Sequence, residues 1–210
     1  MRLLIGVPTL DYVHSEFMKS LTALVKRLER EKVHFEVEII SGTLVYNARE
    51  KIANKAINEG YSHVLWLDSD MVFNDDLLED LQFSGKDFVS GVYHARRPPH
   101  FSCLFKSISL DTLERWENTY PREVFEIDGC GFGCVLIKTE ILEAVNRNYG
   151  TCFCPMPQLG EDIAFCKRAR EMGYKIYAEP GVRLGHVGHT TIYPEDRDWW
   201  LKRYEGCGNA

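Results

Sequence analysis

The first 93 residues alternate between apolar runs and helical periodicity. The continuous apolar run at residues 3–7, ended by Pro8, predicts a strand that is buried on both faces. From Ser15, apolar side chains recur at helical spacing and the segment ends in basic residues, so a helix follows. The same alternation predicts strands at 35–40, 64–67 and 87–93 and helices at 47–58 and 76–81. Short connections between them favour a parallel sheet with right-handed crossovers.

The second half of the chain is less regular. Residues 94–123 contain Pro98, Pro99 and Pro121 and are predicted to form loop and edge strand. Beyond them, the pattern predicts strands at 124–127, 135–137, 175–178 and 182–184, a glycine-rich turn at 129–133 and a helix at 161–172. No repeat or composition break divides the chain. The predicted fold is therefore one α/β domain over residues 1–210, with a mixed, mainly parallel central sheet and helices on both faces.

Charge and cysteine content narrow the class of protein. The 210 residues carry 25 Lys and Arg against 31 Asp and Glu, a net charge of −6, so the broad basic surface that nucleic-acid binding needs is not expected. A phosphorylated ligand held through a divalent cation remains compatible with this charge. The seven cysteines are odd in number and irregularly spaced, which favours a reducing, cytoplasmic compartment over a disulfide framework. No apolar stretch approaches the ~20 residues of a membrane span, so no transmembrane segment is predicted.

Three acidic or histidine motifs carry candidate chemistry. Asp68-Ser69-Asp70 directly follows a predicted buried strand, where ligands of open parallel sheets bind, and residues at i and i+2 of an extended segment point to one side. Two such carboxylates suit a hard cation and its phosphate ligand, although an acidic surface turn is the simpler alternative. His186, between glycines at a predicted strand end, supplies an imidazole that favours Mn²⁺ as the third member of a metal set.

The third motif is Glu161-Asp162 at the start of a predicted helix. Asp162 lies in register with Phe165 and Cys166 on the stripe that faces the sheet, so its carboxylate is expected to point inward. The helix dipole favours its ionised form, which suits a general base that accepts a hydroxyl proton. Glu161 is shared between this catalytic role and helix capping.

Taken in order, these motifs resemble the GT-A class of nucleotide-sugar glycosyltransferases, above all the family-2-like enzymes of small bacterial or large-virus type. The resemblance covers nearly the whole chain, through residues 6–9, 66–71, 131–138, 160–166 and 173–186. It implies a nucleotide-binding half at 1–93 and an acceptor and metal-completing half at 94–210. It also implies a nucleoside diphosphate-sugar donor, with UDP the most frequent nucleotide, and Mn²⁺, or Mg²⁺ in its place, held by Asp70, Asp68 and His186.

The resemblance also implies where the donor lies. Its nucleoside is expected along Pro8, Thr9 and Asp11, and its diphosphate near the Asp68-Ser69-Asp70 motif. Apart from the resemblance, the small residues of the 129–133 loop, Gly131 among them, would let the donor sugar approach the backbone, although a plain glycine-rich turn is the alternative.

The end of the second predicted strand departs from the family pattern. Many relatives carry acidic residues there that contact the base or ribose, whereas this chain has Ser41-Gly42-Thr43. Asn47 and Arg49 are the predicted substitute contacts, with Arg49 reaching the base or a phosphate. For Asn47 the alternative is a capping box with Glu50.

The expected function is metal-dependent transfer of a sugar, in the hexosyl- or deoxyhexosyltransferase class, to a hydroxyl of a glycan acceptor. The residues leave inversion or retention at the anomeric carbon open. A sugar nucleotidyltransferase and a non-catalytic nucleotide-sugar or glycan-binding module remain alternatives. The loop from His94 to His100 is predicted to close over the donor or to be a solvated basic loop. Trp199-Trp200 suggests an acceptor platform or a packing surface, and the ending resembles a linker, so a further domain is expected beyond Ala210.

Overall fold

The computed structural model describes residues 1–109, 112–117, 119–188 and 191–193. Within them the strands, in chain order, are β1 Arg2–Pro8, β2 His34–Ile40, β3 His63–Leu67, β4 Met71–Val72, β5 Phe88–Val92, β6 Leu104–Ile108, β7 Leu113–Arg115, β8 Phe125–Ile127, β9 Gly129–Cys130, β10 Cys134–Lys138, β11 Ile176–Arg183, β12 Gly185–Val187 and β13 Thr191–Ile192. The helices are α1 Ser15–Arg30, α2 Val45–Asn58, α3 Leu77–Phe83, α4 Thr139–Tyr149 and α5 Glu161–Glu171.

A central sheet has the strand order β2-β1-β3-β10-β5-β11-β8. Strand β1 pairs in parallel with β2 and β3, and β5 pairs in parallel with β11. Strand β10 runs antiparallel between β3 and β5, and β8 runs antiparallel beside β11. The sheet is therefore mixed and mainly parallel, as predicted, and the carboxyl ends of β1, β3, β5 and β11 meet at one edge.

Helices cover both faces of this sheet, which confirms the predicted layers. On one face α1 and α3 bury apolar side chains such as Phe17, Leu24 and Leu81 against β1, β3 and β5. On the other face Ile52 of α2, Leu142 of α4 and Phe165 of α5 pack on the reverse side of the same strands. Each helix buries one apolar stripe, and each central strand is buried on both faces.

Two small sheets complete the carboxyl edge. Strand β12 pairs antiparallel with β4, which follows Asp70, and with β13. Strand β6 pairs antiparallel with β7 and β9, so the segment 94–123, predicted as loop and edge strand, contains a short hairpin. These additions lie where ligands bind in open α/β sheets.

Two further differences from the predicted elements concern a helix and a strand. Helix α4 was not predicted; it begins at Thr139 directly after β10, with no turn residues to announce it. The two short strands predicted at 175–178 and 182–184 are one strand, β11, whose pairing register shifts between Glu179 and Arg183. His189, Trp199 and Trp200 lie outside the described residues, as does the ending before Ala210.

The cysteines among the described residues are free thiols. Burial raises the pKa of Cys134 to about 12, so at neutral pH this side chain is a protonated thiol that packs as an apolar group.

Candidate active site

The Asp68-Ser69-Asp70 motif begins immediately after β3, and its backbone is held on three sides. The Asp68 amide donates to the Gly133 carbonyl at 3.0 Å, and the Ser69 carbonyl accepts the His14 amide at 3.0 Å. The Asp70 carbonyl accepts the Val187 amide of β12 at 2.8 Å. The motif is thus fixed to β10, to the start of α1 and to β12, which places its carboxylates at the carboxyl edge of the sheet.

Asp70 and His186 form a pair. Strand β12 pairs His186 with Met71, and His186 Nε2 lies 3.3 Å from Asp70 Oδ2. The other ring nitrogen, Nδ1, lies 2.8 Å from the His94 carbonyl oxygen, which can only accept a hydrogen bond. This contact places a proton on Nδ1. In the metal-free protein Nε2 faces Asp70 and donates to it when the ring is protonated; loss of that proton gives the Nε2 lone pair that metal-binding histidines use.

The charges around Asp70 favour its ionised form. Burial raises the pKa of this carboxyl group, but the hydrogen bond and charge of His186 and the charge of Arg96 outweigh burial and hold it below its usual value. The pKa of His186 shifts upward. Burial lowers this pKa, but Asp70 and the hydrogen bond with the His94 carbonyl outweigh burial, so the pKa lies above its usual value.

Arg49 of α2 lies beneath the motif. Its side chain is 3% exposed, and its Nη2 contacts Asp68 Oδ1 at 2.7 Å and its Nε contacts Glu161 Oε1 at 3.4 Å. A third contact joins Nη1 to the Phe132 carbonyl oxygen at 3.4 Å. Burial lowers the pKa of Arg49, but the charges of Asp68 and Glu161 raise it by more. The net pKa lies above its usual value, so the guanidinium stays charged. In the structure Arg49 is paired with these two carboxylates, and its predicted contact with the base or a phosphate of the donor stays a prediction.

Asp162 differs from Asp70 in its surroundings. It lies in the first turn of α5, where its Oδ1 accepts the Ile163 amide at 2.8 Å. Burial and the neighbouring Glu161 charge raise its pKa to about 6, against the smaller opposing effect of Arg49. The carboxylate is therefore ionised at neutral pH and more basic than an exposed aspartate.

Two cavities open beside these residues. The first, called here the Thr9 cavity, has a volume of about 430 Å³ and runs from the end of β1 past Leu44 at the start of α2 to Asp70. The second, the Asp162 cavity, has a volume of about 450 Å³ and lies between Asp162, His186 and the 94–100 loop. Both are lined by Asp68 and Arg96, so the two cavities adjoin at the acidic motif.

The predicted site residues divide between these cavities. Pro8, Thr9, Asp11, Ser69 and Asp70 line the Thr9 cavity, Gly131, Asp162 and His186 line the Asp162 cavity, and Asp68 lines both. Thr9 also braces the loop, since its hydroxyl donates to the Tyr12 carbonyl at 2.6 Å.

Asn47, Arg49 and Glu161, which are all described, line neither cavity. The capping box is absent as well. Helix α2 begins at Val45, two residues before Asn47, and its cap has no side-chain hydrogen bond. Glu50 instead accepts the amides of Cys152 and Phe153.

The glycine-rich turn is explained by packing. A Cβ at Gly131 would lie 2.3 Å from Tyr93 Oη, and one at Gly133 would lie 2.7 Å from Tyr93 Cζ. The Tyr93 hydroxyl also accepts the Gly133 amide at 2.9 Å. Gly131 lines the Asp162 cavity, but Tyr93 is what requires a glycine there. Sequence reasoning had no signal for this tyrosine, because the pattern shows only a strand residue.

The donor set fits a divalent cation only in part. Over residues 1–109, 112–117, 119–188 and 191–193, no group of three or more His, Cys, Asp and Glu side chains is placed to hold a metal ion. Asp68 is paired with Arg49, so the predicted three-residue set is not assembled. Asp70 and His186 remain, an oxygen and an imidazole donor side by side. Two protein ligands suit a cation that takes its other ligands from phosphate and water.

No protein-family model matches the chain. Among curated proteins, mannan polymerase complex subunit MNN9 of Candida albicans is 26% identical in an alignment that covers 78% of this chain and 54% of MNN9. The chain therefore spans about half the length of that relative. Among solved structures, A197 from STIV has a TM-score of 0.66 at 22% identity and covers 93% of this chain, with 91% of its own length covered. GalNAc-T7 with UDP, GalNAc and Mn²⁺ has a TM-score of 0.58 at 12% identity, with coverage of 89% and 44%.

The chain has a GT-A fold. At these identities the solved structures show the fold alone, since one fold hosts many activities. In the part of the chain that is described, none of the helices has the length and apolar character needed to cross a membrane.

Proposed function

We propose that the protein is a divalent-metal-dependent glycosyltransferase that moves a sugar from a nucleoside diphosphate-sugar, with UDP-sugars the first candidates, to a hydroxyl group of a glycan acceptor. The observation that carries this proposal is the Asp70–His186 pair, which lies 3.3 Å apart where two cavities adjoin. The structure of GalNAc-T7, which contains UDP, GalNAc and Mn²⁺, supports it by fold.

The Thr9 cavity is assigned to the nucleoside. Its mouth carries exposed apolar side chains, Leu10 at 63% exposure, Tyr12 at 72% and Leu44 at 57%, which can cover the faces of a base. The cavity ends at Asp70, where the negatively charged diphosphate needs a cation. In this assignment the base contacts are the apolar residues that follow β1 and the one that precedes α2, instead of Asn47 and Arg49.

Asp70 and His186 are assigned to Mn²⁺, with Mg²⁺ as the substitute. A cation in this place supplies Lewis-acid stabilisation of the charge on the leaving diphosphate. The protein prepares this position in advance: the His94 carbonyl orients the His186 ring, and the Val187 amide holds the Asp70 backbone.

Asp162 is assigned to the acceptor. In the transfer, the bond from the anomeric carbon to the diphosphate oxygen breaks with its electron pair on the diphosphate, and the acceptor oxygen forms the new bond. The acceptor hydroxyl proton then needs a base, and a partly buried carboxylate with a pKa of about 6 is suited to accept it. A module that only binds nucleotide-sugars has no use for such a group, which favours an enzyme over the non-catalytic alternative.

The proposal is tested by calorimetric titration of UDP into the protein with Mn²⁺ and with EDTA. We expect binding with Mn²⁺ and a loss of about tenfold or more without it, since the diphosphate then lacks the cation that joins it to Asp70. Asp70→Ala should show the weak binding in both conditions. Asp75→Ala, which removes a half-exposed aspartate outside both cavities, is the control and should bind like the wild type. Equal UDP affinity with and without Mn²⁺ would contradict the metal assignment.

A further inference from the structure

Arg96 contacts the same carboxylate that the proposed metal needs. Its Nη1 pairs with Asp70 Oδ2, the oxygen that also faces His186 Nε2. The sequence predicts that the 94–100 loop, which contains Arg96, closes over the donor or is a solvated basic loop. In the structure a guanidinium and a divalent cation would compete for one oxygen of Asp70.

The backbone of the loop is anchored by hydrogen bonds, whereas the Arg96 side chain is held through its pair with Asp70. The Ala95 amide donates to the Phe101 carbonyl at 2.8 Å, and His94 forms a β-bridge with Ser102. The His94 carbonyl holds His186. By contrast, the Arg96 side chain is 46% exposed. A long side chain on a fixed backbone can exchange partners without moving the loop.

The two aspartates of the motif differ in how their charge is balanced. Asp68 is paired with the buried Arg49, which lines neither cavity. Asp70 is paired with the exposed Arg96. Asp70 is therefore the carboxylate whose positive partner can be replaced, and a cation that arrives there sets Arg96 free.

The position of Arg96 points to its next partner. It lines both the Thr9 cavity and the Asp162 cavity, at the place where they adjoin. A donor with its nucleoside in one cavity and its sugar in the other must pass its diphosphate between them. The guanidinium fork matches phosphate oxygens in geometry as well as in charge.

We propose that Arg96 exchanges partners during the reaction cycle: it is the counter-ion of Asp70 in the donor-free protein, and it passes to the diphosphate when the divalent cation takes its place on Asp70. This inference rests on the proposed function. After the exchange Arg96 is a second positive group at the leaving diphosphate. Cation and donor then strengthen each other's binding, because the cation releases Arg96 for the diphosphate and the diphosphate keeps Arg96 away from Asp70.

The test measures two affinities that should change in opposite directions. In Arg96→Gln we expect Mn²⁺ alone to bind about two- to fivefold more tightly, the size expected for loss of a competing half-exposed ion pair. UDP at saturating Mn²⁺ should bind about tenfold more weakly, because a charge-assisted contact is lost. Calorimetry measures both constants, and the melting temperature checks that the variant is folded.

Two further variants sharpen the result. Arg96→Lys keeps the charge, so Mn²⁺ should bind as in the wild type, while UDP loses part of its affinity with the guanidinium fork. Arg97→Gln removes the same charge one residue away and should leave Mn²⁺ affinity unchanged.

The inference is overturned if Arg96→Gln leaves either affinity at the wild-type value, if both weaken together, or if Arg97→Gln gains the same Mn²⁺ affinity. Any of these results with a wild-type protein that binds UDP and Mn²⁺ leaves the proposed function intact. A wild-type protein that binds no UDP overturns the proposed function and this inference together.

Discussion

Two aspartates of one site have opposite electrostatic surroundings. The pKa of Asp70 lies below its usual value, because His186 and Arg96 outweigh the effect of burial. Burial and the charge of Glu161 raise the pKa of Asp162 to about 6. When the surroundings separate the pKa values of neighbouring carboxyl groups in this way, the group with the lower pKa suits a cation and the group with the higher pKa suits a proton. The assignment of roles follows from surroundings, since the residue type is the same.

Asp162→Asn tests the assignment of the basic carboxylate. We expect UDP affinity with Mn²⁺ to stay near the wild type, while the rate of sugar transfer falls by about 10²- to 10⁴-fold because the base is lost. In the wild type the rate should fall as the pH drops through about 6, where Asp162 becomes protonated, and the residual rate of the variant should lack this limb. A pH series of transfer assays measures both.

The matched control for this prediction is Asp87→Asn. Asp87 pairs with Lys138 at the other end of the strands and is 56% exposed, so its loss should leave the rate and the pH profile unchanged. An unaltered transfer rate in Asp162→Asn would show that Asp162 is not the base.

At the scale of elements, Arg49 joins three of them. It extends from α2 and contacts Asp68 at the end of β3, Glu161 at the start of α5 and the carbonyl of Phe132 before β10. Helix α2 and the carboxylates of Asp68 and Glu161 are thereby joined by one buried guanidinium. Arg49 therefore connects the elements that carry the site although it lines neither cavity.

Arg49→Met should destabilise the fold. The change leaves two largely buried carboxylates without their cation, which costs about 3 kcal/mol in the free energy of unfolding, at the lower end for broken buried pairs because Asp68 keeps some contact with water. Urea denaturation of the metal-free protein measures the difference. Arg147→Ala is the control: its side chain is 72% exposed and its pair with Glu143 lies on the helix surface, so its loss should cost about 0.5 kcal/mol or less. Equal losses in the two variants would contradict the role of Arg49.

At the scale of the whole molecule, the site makes stability depend on pH. The raised pKa of Asp162 means that the folded protein binds a proton more tightly than the unfolded chain does. Burial raises the pKa of Asp68 in the same direction, against Arg49. Each contribution is fully present below the unfolded pKa and is lost as the pH rises through the folded value. For Asp162 the window is therefore from about 4 to 6.

We expect the free energy of unfolding of the metal-free wild type to fall between pH 4.5 and pH 7 by more than that of Asp162→Asn, because the amide does not titrate. Urea denaturation in EDTA at several pH values measures both curves, and Asp87→Asn should follow the wild type. Parallel curves for the wild type and Asp162→Asn would show that Asp162 has an ordinary pKa.

Local patterns predicted most elements because they depend on near neighbours. The apolar run of β1 and the helical spacing of α1 are periodicities that a short window contains. Helix α4 could not be recognised from the pattern because it starts at Thr139 with no turn after β10, although Ile141, Leu142 and Val145 have helical spacing. The antiparallel insertion of β10 between β3 and β5 was also beyond a local pattern, since pairing joins residues far apart in the chain.

The alternation of strands and helices, the sheet edge where the polar motifs lie and the inward direction of Asp162 could all be predicted from local pattern. They follow from periodicity and from the fact that parallel strands end at one edge. Which charges meet could be seen only in the folded protein. Arg49 is buried beneath Asp68 and Glu161, and Arg96 pairs with Asp70 beside His186. Such pairs depend on distances between segments that are remote in the chain, and Coulomb energy depends on that distance and on burial, neither of which a sequence pattern contains.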